Sequence, residues 1–213
     1  MDLIEQVFAR RNQRYTLAIP DGYTGAHATP LVVALHYGGM VTPFYGRGIL
    51  AGLVEPALRE LGALIVAPDC QHGDWANPES EAEILALLEH LQANYNIDAD
   101  KTLIAGYSLG GAGTWYVAAR NQDKFAAAIP MASWVQSDSA EVAWKIPLYV
   151  IHSRVDEVVP FEKTEQVVRQ LKEKGVTVEF VALENITHYE TYGFVAPLRA
   201  TVPWIRMAWA GKQ

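Results

Sequence analysis

Short apolar runs alternate along this chain with amphipathic segments, and this alternation restricts the fold more than any other feature. A short apolar run bounded by turn residues is typical of a strand that is buried on both faces of a sheet. The predicted buried strands are Leu31–His36, Ala63–Ala67, Thr102–Tyr107, Ala126–Met131, Leu148–His152 and Thr177–Leu183, with Tyr15–Ile19 as an edge strand. The pattern therefore predicts an α/β fold with a mostly parallel central sheet and helices on both of its faces.

The segments between these runs carry the signals of covering helices. Asn77 is a predicted N-cap and Pro78 opens the first helix, whose acidic residues lie near its N-terminal end. A second helix begins near Pro160 and stops at Gly175, and a last one covers about Val202–Trp209. Because the 213 residues contain no linker, repeat or low-complexity tract, we expect a single domain over residues 1–213.

The charge balance argues against two classes of partner. The chain has 17 Lys and Arg against 24 Asp and Glu, which gives a formal net charge of −7. Binding to nucleic acid or to an anionic membrane requires clustered basic residues, and here only Arg10, Arg11 and Arg14 cluster. We therefore expect a small-molecule partner, no nucleic acid and no membrane, and the sequence is compatible with a homodimer.

The single cysteine and the first residues of the sequence bear on the compartment. Cys70 has no second cysteine to pair with, so the sequence gives no sign of an oxidising environment. Met1–Glu5 carries acidic residues where a signal peptide carries basic ones, and no long apolar stretch follows. We expect a cytoplasmic protein.

The strongest chemical signal is the glycine-rich segment Gly106–Gly111, which joins a predicted strand to a helix-compatible run, Ala112–Arg120. A serine at such a turn is held in a strained conformation with its hydroxyl exposed, and small residues two positions either side let strand and helix approach. Ser108 has Gly106 and Gly110 at those two positions. The spacing does not match a phosphate-binding or dinucleotide-binding loop, so we predict that Ser108 is a nucleophile.

A nucleophilic serine needs a base and an acid that orients the base, and the chain supplies both in the expected order. Asp156 follows the predicted strand Leu148–His152, and His188 follows the next predicted strand. Since parallel strands end at one sheet edge, these side chains can converge on Ser108. Glu157 is a rival for the acid, and Asp138 is a more distant one.

The remaining histidines and two backbone segments complete the predicted site. His90 is expected on a solvated helix face, and His152, at a strand end, is expected to support the core or the site. The oxyanion of the reaction would be bound by the N–H of Leu109 and by that of Gly38, with Tyr37 as the alternative to Gly38.

Aromatic side chains near the predicted sheet edge suggest the substrate pocket, which we assign to Tyr37, Trp75 and Trp134. The segment Asp69–Trp75 gathers potential metal ligands but lacks the spacing of a known metal site, so we predict no metal and no other cofactor. Only residues 132–147 separate two predicted strands, which leaves little room for a cap and predicts a shallow, open site.

These motifs together resemble the α/β-hydrolases, and within them the small single-domain carboxylesterase and predicted-peptidase branch that is related to phospholipase/carboxylesterases and dienelactone hydrolases. The similarity runs from about Tyr15 to the C-terminus and is densest in three segments, Tyr95–Asp98, Gly106–Trp115 and Phe125–Pro130. The resemblance implies an α/β-hydrolase fold with a minimal cap or none, a triad of Ser108, Asp156 and His188, and no metal or organic cofactor.

Three positions depart from the pattern of these families. Tyr37 and Thr187 stand where glycine is common, and Ser108 stands where dienelactone hydrolases typically have cysteine. The last departure disfavours the dienelactone reaction itself. We expect a serine carboxylesterase that cleaves short-chain or exposed esters; the alternatives are a thioesterase or acyl-protein deacylase, and a ligand-binding protein with a silent triad.

Overall fold

The computed structural model describes residues 1–211, and its strands and helices follow one another in the alternation that the sequence predicts. The strands are β1 (Asp2–Phe8), β2 (Gln13–Ile19), β3 (Thr29–Leu35), β4 (Leu64–Pro68), β5 (Ile97–Tyr107), β6 (Ala127–Met131), β7 (Leu148–Ser153) and β8 (Val178–Leu183). The α-helices are α1 (Arg47–Ile49), α2 (Glu55–Leu58), α3 (Pro78–Asn94), α4 (Leu109–Arg120), α5 (Ser137–Glu141), α6 (Phe161–Glu173), α7 (Val195–Arg199) and α8 (Val202–Ala210).

All eight strands belong to one sheet in the order β1-β2-β4-β3-β5-β6-β7-β8. The strands β3 to β8 pair in parallel, whereas β1 with β2 and β2 with β4 pair antiparallel. The predicted mostly parallel α/β architecture is confirmed. This arrangement brings the carboxyl ends of β3 to β8 to one edge, where ligands bind in open α/β sheets.

Successive residues of a strand enter two different cores, one on each face of the sheet. In β3, Leu31 and Val33 pack in a cluster with α3, α4 and α6, while Val32 packs with the segment Ile49–Leu58, α7 and α8. Because the central strands are buried on both faces, they consist of nearly continuous apolar residues. The prediction of helices on both faces is therefore confirmed.

The antiparallel side of the sheet differs from the prediction. Tyr15–Ile19 is not an edge strand, because β1 pairs along its whole length with β2 and takes the edge position. Strand β1 was not predicted from the sequence, because its residues are mostly exposed or half-buried and show no continuous apolar run. An edge strand of this composition carries a weak periodic signal, so its pairing is a tertiary result.

The helical segment from Arg47 to Leu61 was also missed. It runs through α1, a π-helical turn at Leu50–Val54, α2 and a 3-10 turn, and it buries one apolar face against the sheet. This segment contains Gly48, Gly52 and Pro56, whose low helix propensity weakens the signal for a helix in the sequence. Tertiary burial of its apolar face offsets those propensities.

The length and composition of the helices can be compared with those of a membrane-spanning helix. Within residues 1–211, no helix combines the length and the apolar character that crossing a bilayer requires.

Candidate active site

Ser108 sits at a sharp turn between β5 and α4. Its backbone has φ 55° and ψ −117°, a conformation that a non-glycine residue rarely adopts. The turn is held because the Ser108 N–H donates to Met131 O at 2.9 Å and the Ala112 N–H donates to Ser108 O at 3.0 Å. The strained backbone therefore directs the Ser108 hydroxyl out of the sheet edge at the N-terminus of a helix.

The two glycines that flank the serine are required by close backbone contacts. A Cβ atom at Gly106 would overlap the carbonyl group of Gly110, and a Cβ atom at Gly110 would overlap the carbonyl group of Leu35. Helix α4 can approach strand β5 this closely only without a side chain at Gly106, and it can approach the end of β3 only without one at Gly110. The spacing seen in the sequence thus has a direct steric cause.

The structure brings together the three side chains that the sequence singled out. The Ser108 hydroxyl lies 2.9 Å from Nε2 of His188, and Nδ1 of His188 lies 2.8 Å from Oδ2 of Asp156. Because a carboxylate accepts hydrogen bonds, the His188 proton sits on Nδ1, which leaves Nε2 free to accept the serine proton. This hydrogen-bond chain can raise the nucleophilicity of a serine hydroxyl.

Four N–H groups surround the Asp156 carboxylate. The backbone N–H groups of Val158 and Val159 donate to Oδ1, at 3.0 and 2.7 Å, and the rings of His188 and His152 face Oδ2. Burial by itself would raise the pKa of Asp156, but the hydrogen bonds to its charged form outweigh burial and hold the pKa well below its usual range. Asp156 therefore stays ionised at neutral pH.

The two rival acids have other positions. Oε2 of Glu157 accepts the backbone N–H of His188 at 2.9 Å, so this carboxylate holds the histidine loop and does not face the imidazole Nδ1. Asp138 lies on α5, where its side chain is 57% exposed and pairs with Arg120. Of the three carboxylates considered from the sequence, Asp156 is the one that contacts the His188 ring.

Tyr107 ties the serine turn to the histidine loop, a contact that sequence reasoning missed. Its buried hydroxyl donates to His188 O at 2.8 Å. Burial, and then the charges of Asp156 and Glu157, raise the pKa of Tyr107 far above its usual value, so the hydroxyl keeps its proton. The position next to Ser108 is the one sequence signal that could have drawn attention to Tyr107.

The loop after β3 faces Leu109 across the site. A Cβ atom at Gly38 would lie 3.8 Å from the Leu109 side chain. The His36 ring fixes this loop, because its Nδ1–H donates to Tyr37 O at 2.7 Å and its Nε2 accepts the Cys70 N–H at 3.0 Å. Burial lowers the pKa of His36, so the ring stays neutral and keeps both roles.

The prediction that Trp75 lines the substrate pocket is wrong. The side chain is only 1% exposed and belongs to the core, and its Nε1–H donates to His36 O at 2.9 Å. The same loop accepts the Tyr45 hydroxyl at Gly38 O, at 3.4 Å. Trp75 thus holds the loop that carries Tyr37 and Gly38 from below, and it has no surface left for a substrate.

A cavity of about 440 Å³ opens beside the serine. It is lined by Tyr37, Gly38, Tyr107, Ser108, Val158, His188, Tyr189 and Thr191. Tyr37 is where the sequence predicted it, whereas Trp134, 39% exposed after β6, lies outside this lining, which corrects its assignment. Sequence reasoning missed Val158, Tyr189 and Thr191, although Tyr189 directly follows His188 in the chain.

The segment between β6 and β7 contains only the short helix α5, so no large cap covers the cavity within the described residues. Tyr189 is 77% exposed at the mouth of the cavity, and Val158 is also exposed there. The predicted minimal cap agrees with this arrangement. Ser108 therefore lines a cavity with solvent-exposed residues at its mouth.

The cluster of polar residues after β4 has a structural role. The buried Asp69 carboxylate accepts the backbone N–H groups of Phe44 and Gly46, at 2.8 and 3.0 Å, and the Arg14 side chain at 3.3 Å. Among residues 1–211, no group of three His, Cys, Asp or Glu side chains is placed to hold a metal ion.

His90, predicted on a solvated face of its helix, instead stacks on Phe8 with ring centroids 4.3 Å apart.

The sheet order and the Ser108–His188–Asp156 chain at its carboxyl edge define the class of this protein as an α/β-hydrolase. A family model described as "Dienelactone hydrolase family" matches residues 71–202. The chain belongs to the dienelactone hydrolase family, and the predicted relationship to dienelactone hydrolases is thereby confirmed.

Relatives and solved structures agree with this classification. The chain is 28% identical over 162 residues to a probable feruloyl esterase C of Aspergillus terreus, a match that covers 70% of this chain and 57% of the relative. It is 27% identical over 154 residues to feruloyl esterase C of Emericella nidulans, again over 70% of this chain and 57% of the relative. A crystal structure of a thermostable esterase superposes with a TM-score of 0.80 at 25% identity, over 97% of this chain and 63% of that chain.

Proposed function

We propose that this protein is a serine carboxylesterase that hydrolyses short-chain or solvent-exposed carboxylic esters. The observation that carries the proposal is the continuous chain of hydrogen bonds from the Ser108 hydroxyl through His188 to Asp156, at 2.9 and 2.8 Å. Such a chain places the nucleophile, its base and the orienting acid within hydrogen-bond reach before a substrate binds. No cofactor takes part in the proposed reaction.

In the first half of the reaction, Ser108 Oγ attacks the ester carbonyl carbon while His188 Nε2 takes the hydroxyl proton. Asp156 holds the imidazole in the required tautomer and stabilises its positive charge. The negative charge that develops on the carbonyl oxygen is bound by the N–H groups of Leu109 and Gly38. The tetrahedral intermediate then collapses, the alcohol leaves with the proton from His188, and an acyl-Ser108 ester remains.

In the second half, a water molecule attacks the acyl-enzyme carbonyl and His188 again acts as the base. The new tetrahedral intermediate expels Ser108 Oγ, which recovers its proton from His188, and the carboxylic acid is released. The net reaction consumes one ester and one water and yields one acid and one alcohol.

The shape of the site supports a preference for small or exposed esters. The 440 Å³ cavity is at the small end of ligand pockets, and its rim residues Tyr189 and Val158 are exposed. A long acyl chain would lie largely in water, so its extra methylenes would add little binding energy. We therefore expect kcat/KM to fall as the acyl chain lengthens.

The test is hydrolysis of p-nitrophenyl acetate, butyrate, octanoate and palmitate by the wild type and by Ser108→Ala. Methyl ferulate is included because the two fungal relatives are named as feruloyl esterases. We expect kcat of Ser108→Ala to fall by a factor on the order of 10⁶, as removal of a triad nucleophile can cause. The control is Ser139→Ala on α5, which should keep full activity. Ser108→Ala activity within a few-fold of the wild type would refute the proposal.

The same experiment separates the two alternative functions. A thioesterase would hydrolyse matched thioesters faster than oxygen esters, since the same three residues can attack either. A silent ligand-binding protein would hydrolyse none of them, and a fluorophosphonate probe would not label Ser108. Labelling of the wild type together with turnover of oxygen esters is the result that the carboxylesterase proposal requires.

We further propose that the protein acts in the cytoplasm. The proposal is supported by Cys70, the single cysteine of the sequence, which is free and buried, so the protein has no internal disulfide of the kind that oxidising compartments favour. Fractionation of the source cells, with detection by a specific antibody, tests this proposal. Recovery of the protein outside the cytoplasmic fraction would contradict it.

A further inference from the structure

A second histidine, His152, faces the carboxylate of Asp156 from beneath the active site. It lies near the carboxyl end of β7, and its side chain is 0% exposed. Its Nε2 atom is 3.3 Å from Asp156 Oδ2 and 3.1 Å from Val159 O, and its ring packs edge-on against Phe161. His152 therefore cannot reach a substrate, yet it contacts the acid that orients His188.

The surroundings of the His152 ring fix the position of its proton. Both groups that face Nε2, the Asp156 carboxylate and the Val159 carbonyl, can only accept a hydrogen bond. Within residues 1–211, Nδ1 has no hydrogen-bond partner, so a proton there would lack an acceptor. The proton of a singly protonated His152 ring therefore lies on Nε2, where both the Asp156 carboxylate and the Val159 carbonyl face it.

We propose that His152 is a positioning residue that donates from Nε2 to Asp156 Oδ2 and thereby fixes both the rotation of this carboxylate and the strength of its bond to His188. The inference rests on the proposed hydrolase function, in which Asp156 orients the base. His152, a buried residue of the core, would thus affect the reaction through its contact with Asp156.

The donor count around Asp156 supports this role. Oδ1 accepts the backbone N–H groups of Val158 and Val159, whereas Oδ2 accepts Nδ1 of His188 and has Nε2 of His152 3.3 Å away. With the proposed bond from His152, each oxygen has two donors, which restricts the rotation of the carboxylate. Without His152, Oδ2 would accept a hydrogen bond from His188 alone. Its negative charge would then interact with this single N–H group, and the Asp156–His188 hydrogen bond would be stronger.

The other titratable and charged groups near Asp156 are already engaged elsewhere. The Tyr107 hydroxyl donates to His188 O, and Glu157 accepts the His188 N–H. The Arg154 guanidinium lies over the Phe161 ring at 4.6 Å. None of the three donates to the Asp156 carboxylate within the described part of the chain, so none can replace His152.

The first experiment compares the pH profile of kcat/KM for p-nitrophenyl acetate in His152→Leu and His152→Gln. Leucine removes the donor, whereas the glutamine amide can supply an N–H at a similar reach. With a stronger Asp156–His188 bond, the imidazolium is stabilised and the acid-side midpoint in His152→Leu should rise by about 0.5 pH unit. His152→Gln should keep the wild-type midpoint. An unchanged midpoint in His152→Leu, or an equal shift in both variants, would overturn the proposal.

The second experiment uses the unmodified protein, so it holds even where His152→Leu fails to fold. Nitrogen-15 NMR of the histidine side chains reports which ring nitrogen carries the proton. We expect the neutral Nε2–H form for His152, and an Nδ1–H or doubly protonated ring would overturn the inference. Because this readout needs no turnover, an absence of Ser108-dependent activity together with the Nε2–H form would reject the proposed function while leaving the contact in place.

Discussion

The link between Tyr107 and His188 offers a sharp test of how the site is held together. Substitution Tyr107→Phe removes a single oxygen atom and keeps the aromatic ring, which packs against Phe194 with ring centroids 4.9 Å apart. The lost atom donates to His188 O at 2.8 Å in a buried environment. The change therefore leaves the buried carbonyl of His188 without its hydrogen-bond donor and removes one contact that holds the loop carrying His188.

The size of the effect follows from this hydrogen bond. Leaving a buried acceptor unsatisfied costs about 1–3 kcal/mol of folding free energy. For a chain of this length, each kcal/mol lowers Tm by about 2–4 °C, so a mid-range loss of about 2 kcal/mol lowers Tm by about 4–8 °C. A displacement of His188 by about 1 Å can reduce the rate about 100-fold, and we expect kcat/KM to fall by about 10- to 100-fold.

The assay combines a thermal melt with ester hydrolysis, and the matched control is Tyr149→Phe. Tyr149 packs against Trp204, with ring centroids 5.1 Å apart, and its hydroxyl has no hydrogen bond among the described residues. The control should change Tm by no more than about 1–2 °C and leave the rate unchanged. If Tyr107→Phe keeps the wild-type Tm and rate, or changes no more than the control, the anchoring argument is refuted.

Two further predictions concern the acid and the pH dependence of stability. Asp156→Asn should lower kcat by about 10⁴-fold, as the loss of the acid in a serine triad can, whereas Glu157→Gln should cost far less; equal losses in steady-state kinetics would contradict the assignment of the acid. The pKa of His36 is lowered in the folded state, mainly by burial, so the unfolded chain binds its proton more readily and stability should fall as pH drops below about 6.5. His36→Asn keeps a donor near the Nδ1 position and cannot titrate, so its Tm should depend less on pH between about 6.5 and 5; an unchanged pH dependence would count against this reasoning.

The sequence determined the class of fold because buried strands and covering helices leave separate periodic patterns. The runs that became β3 to β8 are nearly continuous in apolar residues, since both faces of these strands are buried. Strand β1 and the helix from Arg47 to Leu61 left no such pattern. The first is an exposed edge, and the second contains residues that disfavour helices, so pairing and burial decided both.

The sequence by itself also determined the serine turn, because close backbone contacts require glycine at positions 106 and 110. It likewise determined the chain order of the acid and the base. Only the tertiary structure decided between Asp156 and Glu157, which are adjacent in the chain but direct their carboxylates at different atoms of His188. The tertiary structure also places Trp75 in the core, whereas the sequence had suggested the substrate pocket. The physical reason is that a spacing in sequence fixes which sheet edge a residue reaches, whereas distances of about 3 Å between side chains depend on packing from every neighbouring element.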